Sequence, residues 1–201
     1  MKTVPYSADT GEEENVQVEM TITRSSRKTI GLRVRSSHNV TLTFPKQYTN
    51  KEIDSFIEEN RDWIDRHIRR AAAREEQIQD LPKLTYEEIQ KLADDTVALL
   101  KPLLKEYMPL VRVRVNRVTV KAQRTRWGSC SVRGNLNFNC LLALSPDYVQ
   151  RYIVVHELCH LLRMNHSALF WAEVARIMPD YKTAEDWIKA EGWKLFKRLP
   201  Y

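Results

Sequence analysis

The stretch YIVVHELCHLLRMNHSALFW, residues 152–171, holds three of the chain's five histidines. His156 and His160 lie four positions apart. On a helix turning about 100° per residue they are offset by only about 40°, so their rings stack on one face. Imidazole nitrogens placed there can converge on one ion at roughly 2.0–2.1 Å, the zinc distance. Glu157 follows His156 directly and projects beside such an ion rather than toward it. A carboxylate there can take a proton from a metal-activated water and pass it to a leaving group. This is the H-E-x-x-H arrangement.

His166 is the candidate third ligand. On an unbroken helix it would sit about 240° around from His160 and about 9 Å further along, out of reach of the same ion. The helix must therefore end first, and Met164-Asn165 is the expected place, with Asn165 taking the left-handed conformation of a helix cap. Three protein nitrogens leave a fourth position open, as a catalytic zinc site requires. Glu173, on the next helix, is the rival third ligand; the short turn favours His166. The flanking Tyr152-Ile153-Val154-Val155 and Leu158, Cys159, Leu161, Leu162 make the helix apolar nearly all round, hence buried. Burying an unpaired His–Glu–His set costs roughly several kcal/mol unless something neutralises it, which argues against mere core packing. Cys159 points off the metal face and reads as a small core residue. His38, in a turn, and His67, on an arginine-rich helix face, read as surface residues.

The elements that must position this helix follow from periodicity. Residues 1–15 are polar and expected to be disordered. Residues 16–23, 28–35 and 39–44 alternate and are rich in Val, Ile and Thr, predicting a small antiparallel meander. Pro45 ends it, and Thr49 or Asn50 caps a long helix through about residue 79. A domain of residues 16–80 would precede a catalytic domain of residues 81–201. In the latter, Thr85 with Glu88 is a capping-box pattern opening a helix to about Met108, with Pro102 kinking it. Residues 111–122 alternate apolar and basic, as a half-solvated strand would, and RTRWGSCSVR then leads through Gly134-Asn135 into a short edge strand. Ser145-Pro146 is a helix start, followed by the histidine-bearing helix and two more. The fold class is α+β.

Composition bounds the function. No run of about 18 apolar residues exists, so no membrane span is expected. The first twenty residues lack an apolar signal core and carry the acidic triplet Glu12 to Glu14. Three scattered cysteines argue against a disulfide framework and for a cytoplasmic protein. The net charge of +6 is unevenly spread. Met20 to Lys51 and Tyr107 to Pro146 contain no acidic residue but carry Arg33, Arg35, Arg112 and Arg114 among other cations. Such stretches are either solvated strand faces or a surface for nucleic acid or acidic peptides.

Three motifs, RWGSCS, YIVVHELCHLLRMNHSALFWAEV and MPDYK, together resemble the YgjP-like metal-dependent hydrolases, a WLM-related group of zincin-type metallopeptidases. The resemblance extends to ITRSSRKTIGLRVR, to NRDWI and across Arg124 to Trp187, most of the chain. It implies a zincin-like core, with the active-site helix packed on a small, mostly antiparallel sheet. It also implies Zn2+ held by His156, His160 and His166, Glu157 as general acid/base, and a peptide or protein substrate. Zincins place an edge strand over the cleft where substrate backbone pairs, and Leu136, Asn137, Phe138 and Asn139 are the candidates. The H-E-x-x-H-x5-H spacing equals that of metzincins, which have glycine where this chain has Arg163, so the turn must be built differently. Near the site, Arg126 either stabilises an oxyanion or a substrate carboxylate, or forms a structural ion pair. Tyr181 can donate to a tetrahedral intermediate, Trp127 and Trp171 read as core packing, and Gly128 as a bulge position. The alternative function is a nucleic-acid-associated protein, including a protease of DNA-linked proteins, that uses its basic strands.

Overall fold

The computed structural model describes residues 1–9, 11 and 15–200, which form two compact units, Met1–Asp80 and Leu81–Tyr201. The acidic triplet Glu12 to Glu14 lies outside the described residues.

In the first unit, strands β1 (Lys2–Ala8), β2 (Val16–Ser25), β3 (Gly31–Ser36) and β4 (Asn39–Pro45) form one sheet in the order β1-β2-β4-β3. Two expectations fail here. Lys2–Ala8 is a strand, not a disordered tail: its alternation buries Tyr6 and Ala8 while β2 satisfies its backbone. Nor is the sheet a plain meander, because β2 runs parallel to β4 and β3 lies on the outside. The face carrying Val18, Met20, Val40, Leu42 and Phe44 is covered by Ile53 of α1 (Asn50–Glu59) and by Ile64 and Ile68 of α2 (Arg61–Gln79). The single long helix expected here is two, broken at Asn60, whose side-chain amide donates to the Phe56 carbonyl and closes the first.

The second unit begins with α3 (Tyr86–Val111), opened by the expected Thr85/Glu88 capping box and containing both Pro102 and Pro109. Arg112 then takes the left-handed conformation (φ 63°) and ends the helix, so the expected strand from residue 111 is confined to β5 (Arg117–Lys121). With β6 (Gly128–Cys130) and β7 (Asn135–Asn139) it forms a sheet ordered β5-β7-β6. A 3-10 turn over Cys140–Leu144 leads to α4 (Asp147–His160). Ser145 does not cap that helix; its hydroxyl turns back to the Leu142 carbonyl at 2.7 Å, and Pro146 takes the cap position. Helices α5 (Ala168–Ile177), α6 (Tyr181–Trp187) and α7 (Trp193–Lys197) complete the unit.

Its core is Leu100, Leu103, Tyr107 and Val111 of α3, Leu136 and Phe138 of β7, and Val149, Ile153, Val154, Val155, Leu158 and Cys159 of α4. Cys159 is fully buried, as expected, and burial pushes its thiol up to about 12. Asn139, also fully buried, pins the segment before β6. Its amide donates to the Gln123 carbonyl at 2.6 Å and the Arg126 carbonyl at 2.9 Å, and its oxygen accepts from the Leu141 N–H at 3.1 Å. The architecture is α+β, with an apolar helix against a small sheet. No helix among the described residues is long and apolar enough to cross a membrane.

Candidate metal centre

Helix α4 carries His156 and His160 one turn apart, and their Nε2 atoms approach to 3.2 Å. His166 Nε2 lies 3.1 Å from His156 Nε2, and one nitrogen from each of the three rings lies within 4.8 Å of the others. Two ligands about 2.05 Å from a tetrahedral zinc are separated by roughly 3.3 Å. The two spacings from His156 match that value, and the third pair lies within 4.8 Å.

The proton inventory agrees. Nδ1 of His160 faces the Arg163 carbonyl at 3.1 Å, an acceptor only, so Nδ1 carries the proton and the neutral ring turns a bare Nε2 toward its neighbours. Burial, with the other rings adding to it, lowers the basicity of His156 to about 3; burial also lowers that of His160. Both are held as neutral imidazoles, the form that ligates metal.

His166 arrives as expected, but not by the expected cap. After α4 the chain makes a tight turn, with Leu161, Leu162 and Arg163 N–H groups donating to Leu158 and Cys159 carbonyls. Among the described residues Arg112 is the one non-glycine residue with positive φ, so Asn165 is not left-handed. The His160–Arg163 hydrogen bond closes the turn, which is why no glycine is needed where Arg163 stands. The rival ligand, Glu173, is ion-paired with Arg176 at 2.9 Å and is not among the converging groups.

Phe170 was not singled out from the sequence, yet it is the floor of the site. Fully buried, it stacks on His160 (4.5 Å between centroids) and meets His156 and His166 edge-on at 4.9 Å. Trp171 packs against the core, as expected, and also walls the site, 5.8 Å from the His166 ring and 5.4 Å from Tyr181, which it stacks against. Tyr181 in turn stacks on Tyr152 at 6.2 Å. Trp127 is core, 5.0 Å from Phe196.

Glu157 is only 5% exposed, and its Oε2 is buried without a hydrogen-bond partner among the described residues. Burial raises its carboxyl to about 8, against the opposing charge of Arg126. Arg126 is exposed and makes no ion pair among the described residues. Gly128 explains how the carboxylate fits. A Cβ at that position would lie 2.6 Å from Glu157 Oε1 and 2.8 Å from its Cδ, so the missing side chain, not a bulge, is what the glycine contributes.

The expected edge strand is corrected. Leu136, Asn137, Phe138 and Asn139 belong to β7, the centre of its sheet, bonded to β5 on one side and β6 on the other. The edge beside α4 is β6. The Trp127 carbonyl accepts from Asn139, the Ser131 N–H donates to Asn135, and Ser129 pairs with Asn137. By the alternation of antiparallel ladders, the main-chain polar groups of Gly128 and Cys130 then point away from β7, along the free edge.

The remaining histidines lie in the first unit: His38 is exposed beside Ser37, and half-buried His67 stacks on Trp63 at 3.6 Å. Arg33 and Arg35 are exposed on β3, and Arg112 and Arg114 are exposed after α3.

Against known proteins, the family described as YgjP-like, metallopeptidase domain, matches residues 28–97 and 80–191. A search of curated proteins returns no match. Among solved structures, the metallopeptidase zymogen abylysin of Pyrococcus abyssi is 23% identical with a TM-score of 0.43, the alignment covering 46% of this chain and 93% of that one. The metallopeptidase zymogen jannalysin of Methanocaldococcus jannaschii is 19% identical with a TM-score of 0.41, covering 46% and 95%.

Proposed function

The chain belongs to the YgjP-like metallopeptidase family, and on that footing we propose that it hydrolyses peptide bonds at a zinc ion held by His156, His160 and His166. The coarser statement, a metal-dependent peptidase, is carried by the family itself. The finer one rests on a single observation: three imidazole nitrogens converge, two of them from the helix that also carries a buried carboxylate oxygen with no hydrogen-bond partner among the described residues.

Zinc bound there would supply Lewis acidity, lowering the pKa of water and polarising a scissile carbonyl. The chain's own groups do the rest. Glu157 takes the proton of the attacking water and returns it to the departing nitrogen. Its unpaired Oε2 is the atom for that transfer, and its raised basicity suits work near neutral pH. Substrate backbone pairs with the free edge of β6, through the main-chain groups of Gly128 and Cys130. Arg126, exposed and near enough to act on Glu157, offers positive charge for a substrate carboxylate or oxyanion. Tyr181, on α6 and held between Tyr152 and Trp171, is the candidate donor to a tetrahedral intermediate. The family lends nothing to the nucleic-acid alternative.

The test pairs metal analysis of purified protein with cleavage of a peptide library by wild type and Glu157→Gln. Stoichiometric zinc in both, with cleavage by wild type alone, is the expected result. Full activity in the variant removes the role of Glu157, and protein purified without a transition metal removes the centre.

A further inference from the structure

The ring of His156 has a partner on the side away from the other two histidines' contacts, at Nδ1. Its Nδ1 lies 3.2 Å from the Tyr152 hydroxyl, which also lies 3.4 Å from Glu185 Oε1. Tyr152 is buried on α4, one turn before His156, while half-buried Glu185 projects from α6. A phenol has one proton, and it faces two neighbours. The Glu185 carboxylate can only accept, so the proton goes there. The phenol oxygen is then left as an acceptor toward His156, whose Nδ1 must supply the hydrogen. The neutral ring can carry no second proton, and its Nε2 is bare. That is the nitrogen 3.2 Å and 3.1 Å from those of His160 and His166.

We infer that Tyr152 and Glu185 are positioning residues that fix the tautomer and ring orientation of His156, presenting Nε2 to the metal. The inference rests on the metal-centre reading and deepens it. A backbone carbonyl performs the same task for His160; at His156 the group facing Nδ1 is the Tyr152 hydroxyl. A two-residue side-chain chain from α4 to α6 takes the carbonyl's place. Outer partners of this kind change metal affinity by about 10–100-fold when removed.

The variants are Tyr152→Phe, which retains the ring stacked on Tyr181; Glu185→Ala; Glu185→Gln, whose amide oxygen still accepts the phenol proton; and the Tyr152→Phe/Glu185→Ala double. Zinc affinity is measured by competition with a chromophoric chelator. The ring nitrogens of His156 in metal-free protein are followed by long-range nitrogen–proton correlation spectra. Tyr152→Phe and Glu185→Ala are expected to bind zinc about 10–100-fold more weakly. The double variant should be no weaker than Tyr152→Phe alone, because the two residues act in series, and Glu185→Gln should recover much of the loss. In wild type the spectra should show the hydrogen on Nδ1, and in Tyr152→Phe a mixture of tautomers. Zinc binding and tautomer unchanged in the single variants overturn the inference and leave the metal centre standing. Additive losses with an unchanged tautomer reduce the pair to packing and also overturn it. Wild-type protein that binds no zinc sinks the metal centre itself, while the metal-free spectra still decide whether the chain sets the tautomer.

Discussion

At the scale of single residues, Glu157 and Gly128 form one device. The carboxyl occupies the space a Cβ would fill, so Gly128→Ala forces it aside; overpacking of this kind costs about 1–3 kcal/mol. The expected result is zinc stoichiometry like wild type with peptide cleavage lowered by up to about 10²–10⁴-fold, the usual contribution of a general acid/base. Cleavage at the wild-type rate would show that the carboxylate does not depend on that space. The same burial makes a pH signature. In metal-free protein the Glu157 carboxyl titrates at about 8 instead of 4.5, so between those values the folded state binds more protons than the unfolded. Stability then falls as pH rises through that window. Glu157→Gln cannot ionise and should lose this slope, so chelator-treated variant and wild type should be similarly stable below about pH 4.5 and diverge progressively up to about pH 8 in urea titrations. Parallel pH curves would contradict the raised basicity.

Elements show what a sequence can and cannot tell about such a device. Helix α4 was legible because its signal is local: His156 and His160 at helical spacing, in an apolar setting, with Glu157 between. His166 followed from the need to break the helix, but the break itself did not, since a side-chain–carbonyl bond at Arg163 replaced the anticipated left-handed cap. Strand alternation located β2, β3 and β4 yet could not say that β2 would run parallel to β4, because pairing is decided by non-local burial. For the same reason β7 looked like an edge and is a centre. Phe170 and the Tyr152–Glu185 contact join residues brought together by the fold, and no spacing announces them. Asn139 belongs to this class too. It holds the approach to β6 through three hydrogen bonds from a fully buried position. Asn139→Ala orphans two carbonyls and an N–H and should lower the unfolding free energy by about 1–3 kcal/mol. A lower urea midpoint at unchanged slope is the expected reading; an unmoved midpoint would mean that water replaces the side chain there.

For the whole molecule, the separation of cores determines where metal binding is felt. The residues packed around Met20, Phe44 and Ile64 and those packed around Phe138, Val154 and Phe170 are disjoint sets, and all three histidines of the centre belong to the second unit. A ligand that binds only the folded state stabilises what must stay folded to bind it, by about 2.7 kcal/mol when present at a hundred times its dissociation constant. That energy should appear in α4, whose ordered turn His156 and His160 require, and in the Leu136–Phe138 core beneath it. The β1-β2-β4-β3 sheet supplies no ligand and shares no core residue with the centre. Hydrogen exchange with and without zinc should therefore slow amides of Asp147–His160 strongly while leaving those of Val16–Ser25 and Asn39–Pro45 unchanged. Equal slowing in both places would mean that the two units unfold as one, and that the first is an energetic partner of the second.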